Sequence, residues 1–196
     1  MNIALLSGHA KTSEGATCCH GRYKGLGEHA LASLYLPLLR DHLTACGHTV
    51  ALTCREDAGG TTPSFSAAAA NATEADIALE FHFNSHTAPT TSGCEVLYWG
   101  KSYLSRKFAI ALSARLAKIL GVHNRGAKPV YGPADRGYLA FRRSKMSFFI
   151  IEPCFAGSNP DDARIFGDSI HLYSWQKYAA QAINETIAEV YQKRSR

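Results

Sequence analysis

Ser147-Phe148-Phe149-Ile150-Ile151-Glu152 is a run of four apolar residues closed by a carboxylate. A strand apolar at successive positions is buried on both faces, the habit of parallel sheets covered by helices. Working outward, similar short runs recur. Residues 3–7 lead into Gly8-His9 and read as a buried strand opening into a loop. Residues 48–53 alternate as a strand, and residues 76–83 and 93–99 are further apolar strands. Between them lie longer periodic segments. Residues 28–46 place Leu31, Leu34, Leu38 and Leu39 at helical spacing, with Pro37 expected to bend the helix and Gly47 to stop it. Residues 62–75 read as a helix on their alanine run, and residues 102–120 carry an i, i+4 apolar face that ends at Gly121. Residues 160–166 and 172–190 close the series as helices, the last running into Lys193-Arg194-Ser195-Arg196. The alternation predicts an α/β fold in three layers: a mostly parallel (mixed), twisted sheet of about six strands with helices on both faces.

The bulk properties agree with this reading. A chain of 196 residues and 21.3 kDa fits one domain and buries a full core without staples. Hydrophobic residues make up 46% and charged residues 19%, which excludes a disordered, collagen-like or coiled-coil chain. No internal repeat, linker or low-complexity tract divides it, so residues 1–196 are expected to form a single domain. No run reaches the ~18 apolar residues of a membrane span, and the start lacks a basic, then apolar, secretory pattern. The net charge of +5 is a mild positive balance without a basic stripe; charge alone fits nucleic acid or a polyanionic surface such as a cell wall equally well. Six cysteines contain no C-x-x-C pair, which argues against a zinc ribbon or a thioredoxin-like motif. Cys46, Cys54, Cys94 and Cys154 lie in or beside apolar segments and read as small buried thiols, whereas Cys18 and Cys19 fall in a polar loop.

In open α/β sheets functional groups gather at the carboxyl ends of strands. His9 follows the first strand, His82 ends the strand at 76–83, and Glu152 ends the strand at 147–152. Glu28 begins the first helix and can point back to the same rim. Two imidazoles and one carboxylate suit Zn²⁺ at a catalytic site, with one position left to water. Glu152 is then left over as a carboxylate able to take a proton from water and deliver it to a leaving amine. Its place at the end of an apolar strand favours a role, since a carboxylate is costly to bury. Each residue also has a plainer reading: a hydrogen-bonded structural histidine, or a first-turn glutamate favoured by the helix dipole. Glu80, two residues before His82, shares its strand face and competes as ligand or partner.

Five segments, in order, resemble one known family. Leu5-Leu6-Ser7-Gly8-His9, Glu28 opening an apolar helix, Val50-Ala51-Leu52-Thr53 before Arg55, Asn71 ahead of Ala75-Asp76-Ile77, and Phe81-His82-Phe83-Asn84-Ser85 are similar to the zinc-dependent N-acetylmuramoyl-L-alanine amidases of the amidase_3 type. Gly93-Cys94-Glu95-Val96-Leu97-Tyr98 looks like the strand after the second histidine. Residues 149–155, with Ser158-Asn159-Pro160-Asp161-Asp162, resemble the closing segment. The chain departs from the pattern at Ala10, at Cys18-Cys19-His20, at Cys54 and at Pro153.

The resemblance implies His9, Glu28 and His82 as ligands of one Zn²⁺ per chain and Glu152 as general base and acid. It implies cleavage of the amide between the lactyl group of N-acetylmuramic acid and the L-alanine of the stem peptide. The implied partner is bacterial peptidoglycan, with anionic wall polymers drawn by the positive charge, without nucleic acid or membrane insertion. Arg136, Arg142 and Arg143 meet stem-peptide carboxylates or the oxyanion in this reading, or else form a solvated face. Asn84 bonds substrate or holds the loop after His82, and Tyr98, Trp99 and Tyr103 stack on sugar or pack in the core. With neither a leader nor a separate wall-binding domain evident, the expectation is a phage endolysin or an autolysin, made in the cytoplasm and reaching the wall after holin-type release or lysis. The alternatives are a zinc peptidase acting on soluble peptides or acyl amino acids, and a non-catalytic wall-binding module.

Overall fold

The computed structural model describes residues 1–167 and 169–191. Its elements are β1 (Asn2–Ser7), α1 (Glu28–Ala45), β2 (Thr49–Thr53), α2 (Pro63–Ala72), β3 (Ile77–Phe81), β4 (Cys94–Trp99), α3 (Tyr103–Leu120), β5 (Asn124–Val130), α4 (Tyr138–Arg143), β6 (Ser147–Glu152), α5 (Pro160–Ala163) and α6 (Ser169–Val190). Short 3-10 turns occupy Arg55–Ala58 and Arg164–Phe166. The strands form one six-stranded sheet in the order β2-β1-β3-β6-β4-β5. Every neighbouring pair is parallel except β4 against β6, so the sheet is mixed and mostly parallel, as the sequence predicts.

Period-2 geometry sorts each central strand between two cores. Ile3, Leu5, Ile77, Leu79, Phe149 and Ile151 face the larger core, which is closed by α1, α3 and α6. Ala4, Leu6, Ala78, Phe148 and Ile150 face the other, under α2 and α4. Alanines at 69 and 70 on α2 share this core with Ala4 and Ala78 of the sheet, so small residues line both sides of it.

Two elements escape the sequence reading. Residues 124–130 carry Gly126 and Pro129, which argue against a strand, yet β5 forms because it is the sheet's outer strand, where a missing ladder donor is tolerated. Helix α4 has six residues, too few for a 3.6-residue period to register. The cysteine expectation also needs correcting. Cys94 and Cys154 are buried, but Cys46 is exposed, Cys54 is half-buried, and Cys18 of the polar loop is buried. The tail 193–196 lies outside the described residues. No helix among the described residues is long and apolar enough to cross a membrane.

The central strands β1, β3 and β6 run parallel and bring their carboxyl ends to one rim. Antiparallel β4 delivers its amino end to the same place, with Glu95 in register with Glu152.

Candidate active site

His9 follows β1, His82 follows β3, Glu152 ends β6 and Glu28 is the first residue of α1. The Glu28 side chain is free to leave its own helix because Glu14 Oε2 accepts the Ala30 amide of the first turn, at 2.9 Å. Glu28 instead lies over the sheet edge. Its Oε1 is 3.3 Å from His9 Nε2 and its Oε2 is 2.9 Å from His82 Nδ1. The amides of Ala16 and Phe83 donate to these two oxygens, at 2.9 and 3.2 Å. One ligand atom from each of His9, Glu28 and His82 falls within 4.8 Å of the others, the one such group among the described residues. His9 takes a left-handed backbone (φ 60°), and Gly15 closes the following loop over it. A Cβ at Gly15 would stand 2.5 Å from His9 Cδ2 and 2.7 Å from Glu28 Oε1, so only glycine lets the loop pass.

The electrostatics favour a cation. Burial pushes the Glu28 carboxyl up, but its hydrogen bonds to His82 and His9 outweigh this and hold it at about 2. Burial disfavours charge on His82, yet Glu80 and Glu28 beside the ring raise it to about 10. A cluster that draws positive charge into a dry setting, built from two imidazoles and a carboxylate, is chemically matched to Zn²⁺. The residues present fit the metal that the resemblance implies.

Glu152 is 3% exposed, and its Oε2 has no hydrogen-bond partner among the described residues. Burial raises its carboxyl to about 7, against the pull of His82 and Arg136. That is where a group must sit to gain and lose a proton at neutral pH. Arg136 Nη1 is 3.4 Å from Glu152 Oε1 and donates to Asn84 Oδ1 at 2.7 Å. Its Nη2 donates to Glu95 Oε1 at 2.6 Å, while Asn84 Nδ2 and Arg125 Nε also donate to Glu95. Glu95 is thus the buried anchor of a polar wall on the far side of Glu152. A carboxylate inside the apolar run Cys94-Glu95-Val96-Leu97 is the same signal that singles out Glu152, and it marks Glu95 as a further residue of the site.

His9, Glu28, His82, Asn84, Arg136 and Glu152 line a single cleft of about 300 Å³. Arg142 and Arg143 do not join them. They are exposed at the end of α4; Arg142 lines a separate hollow with Trp99 and Lys101, and the Arg143 carbonyl accepts from Asn71. Tyr98 is core, Trp99 packs on Tyr138, and Tyr103 lies in a groove of about 810 Å³ along α3 and α6, lined by none of the cleft residues.

The sequence matches the family Amidase_3, described as N-acetylmuramoyl-L-alanine amidase, over residues 3–189. No curated protein matches it significantly. Among solved structures, Cwp6 from Clostridium difficile superposes with a TM-score of 0.79 at 19% identity, over 95% of this chain and 29% of that one. An N-acetylmuramoyl-L-alanine amidase from Clostridium difficile 630 gives 0.77 at 17% identity, covering 98% and 97%. The catalytic domain of the CD27L endolysin, described as targeting Clostridia difficile, gives 0.72 at 22% identity, covering 94% and 97%. At these identities the superpositions speak for the shared α/β fold, and the family match reaches from β1 into the last turn of α6. The chain therefore belongs to the Amidase_3 family of N-acetylmuramoyl-L-alanine amidases.

Proposed function

We propose that this chain hydrolyses the amide between N-acetylmuramic acid and L-alanine in peptidoglycan with one zinc ion held by His9, Glu28 and His82. The observation that carries this reading is the convergence of those three donors within 4.8 Å beside the buried, proton-ready Glu152. When bound, zinc supplies Lewis acidity toward the scissile carbonyl and the attacking water. Glu152 takes the proton of that water and passes it to the alanine nitrogen as the amide breaks. Burial supports this double duty, because a carboxyl near 7 is poised both to accept and to give.

Arg136 is half-exposed at the cleft and presents its guanidinium to a carboxylate of the stem peptide. Asn84 is engaged on both sides, by Arg136 and by Glu95, which favours a part in holding Arg136 over direct contact with substrate. In this reading the chain acts on the wall as a phage endolysin, the role named for the CD27L catalytic domain of the same fold, and the net charge of +5 supplies a weak pull toward anionic wall polymers.

Chelation tests the reading. Removing metal from the purified chain is expected to abolish solubilisation of sacculi, and added Zn²⁺ to restore it. Full activity in the stripped chain would refute the metal reading. Equal turnover of a soluble stem peptide lacking muramic acid would favour a peptidase instead.

A further inference from the structure

His82 presents two ring nitrogens to two carboxylates from different elements. Nδ1 is 2.9 Å from Glu28 Oε2, on the side of the three-donor cluster, and Nε2 is 3.4 Å from Glu80 Oε2 on the opposite side. Glu80 is fully buried on β3, and its other oxygen is saturated: Oε1 accepts from Ser66 Oγ at 2.6 Å and from Arg55 Nη2 at 3.0 Å. Arg55 is itself buried and donates to the Thr61 carbonyl. What remains are two buried polar atoms without hydrogen-bond partners among the described residues, Glu80 Oε2 and His82 Nε2, and they face each other. A buried ion pair is poor value as a stabiliser, since apolar residues of similar volume do as well. Its place directly behind the ring calls for another reason.

We propose that Glu80, braced by Arg55 and Ser66, is a positioning residue: it accepts the Nε2–H of His82 and thereby commits Nδ1 to the metal. This rests on the proposed zinc reading and deepens it. A ligating imidazole is commonly oriented by a carboxylate on its other nitrogen, which fixes tautomer and ring angle. The same geometry makes Glu80 a partner of His82 and not a fourth ligand, because its oxygen lies across the ring from the His9–Glu28 side.

The test is zinc affinity by chelator competition for the full chain, Glu80→Gln and Ser66→Ala, together with ¹⁵N-histidine NMR of the zinc-loaded chain. The expected spectrum shows His82 metal-bound through Nδ1 with a proton on Nε2, whose resonance moves upfield in Glu80→Gln. Zinc affinity is expected to fall roughly 10- to 100-fold in Glu80→Gln and by a smaller factor in Ser66→Ala. A folded Glu80→Gln chain with unchanged affinity, or a spectrum placing the metal on Nε2, would overturn the proposal. If Glu80→Gln does not fold, the wild-type spectrum and Ser66→Ala decide. Unchanged zinc affinity in His82→Ala would instead bring down the metal reading beneath it.

Discussion

Gly8 stands directly behind the His82 ring, and replacing it by alanine is a graded way to disturb the site. A Cβ built on Gly8 lies 2.4 Å from His82 Cε1, 2.5 Å from Nδ1 and 2.6 Å from Cγ. Ordinary contact begins near 3.4 Å, so the ring must retreat by about 1 Å. It has little freedom to do so, because Glu28 holds one nitrogen at 2.9 Å and Glu80 faces the other at 3.4 Å. The backbone cannot yield easily either, since the Gly8 amide donates to the Phe81 carbonyl at 2.7 Å. Metal–ligand distances at well-formed sites hold to within about 0.2 Å, so the shift is several times that spread. Gly8→Ala is therefore expected to lower zinc affinity and turnover on the order of 100-fold. The rest of the fold should bear only an overpacking penalty of about 1–3 kcal/mol. Chelator competition read beside a circular-dichroism melt separates the two effects. A folded Gly8→Ala chain that binds zinc like the parent would show that the His82 ring is not where the ion is held.

Other perturbations address the remaining parts of the site. Glu152→Gln should keep about one zinc per chain while turnover drops roughly 10²- to 10⁴-fold; loss of metal along with activity would contradict a purely proton-transferring role. Because Glu152 must be ionised to take a proton and its carboxyl lies near 7, kcat/KM should climb as pH rises through that region. Arg136→Ala should move this limb to higher pH, since the guanidinium favours the ionised form; an unmoved limb would detach Arg136 from Glu152. In the metal-free chain, burial pushes the Glu80 carboxyl up, but His82 and Arg55 outweigh it and hold it near 2. Its stabilising share is therefore complete above the unfolded value of about 4.3 and is lost as pH falls toward 2. Arg55→Met, which leaves Glu80 buried without that partner, should cost about 3–5 kcal/mol in urea denaturation at pH 7; a neutral result would mean the charge is balanced elsewhere. Lysis of whole cells should weaken steeply as salt approaches ~0.5 M, where the Debye length is a few ångströms, and salt-insensitive lysis would remove charge as the targeting device.

The sheet was legible because its central strands are apolar at nearly every position, and helices of 18 residues such as α1 and α3 repeat their apolar face often enough to register. β5 and α4 were not, one being an edge strand that accommodates Pro129 and the other ending before its period can repeat. His9, His82 and Glu152 could be picked out because each ends a strand, and the carboxyl ends of parallel strands share a rim. Arg136 lies in the loop before α4, and nothing in its local sequence separates it from Arg142 and Arg143. Only the turn of the chain sends the first to Glu152 and the others outward. Glu95 and the Arg55–Glu80 pair were obscured for a related reason: the partners of Glu95 lie 11 to 41 residues away and Arg55 lies 25 from Glu80, distances over which no pattern in the sequence reports a hydrogen bond.

Mass spectrometry of purified sacculi digested by the zinc-loaded chain shows which bond is cut. The expected products are stem peptides with a free L-alanine amino terminus, together with glycan strands that keep their lactyl groups, and no release by the chelated chain. Peptides cut within the stem while the muramyl–alanine amide stays intact would contradict it.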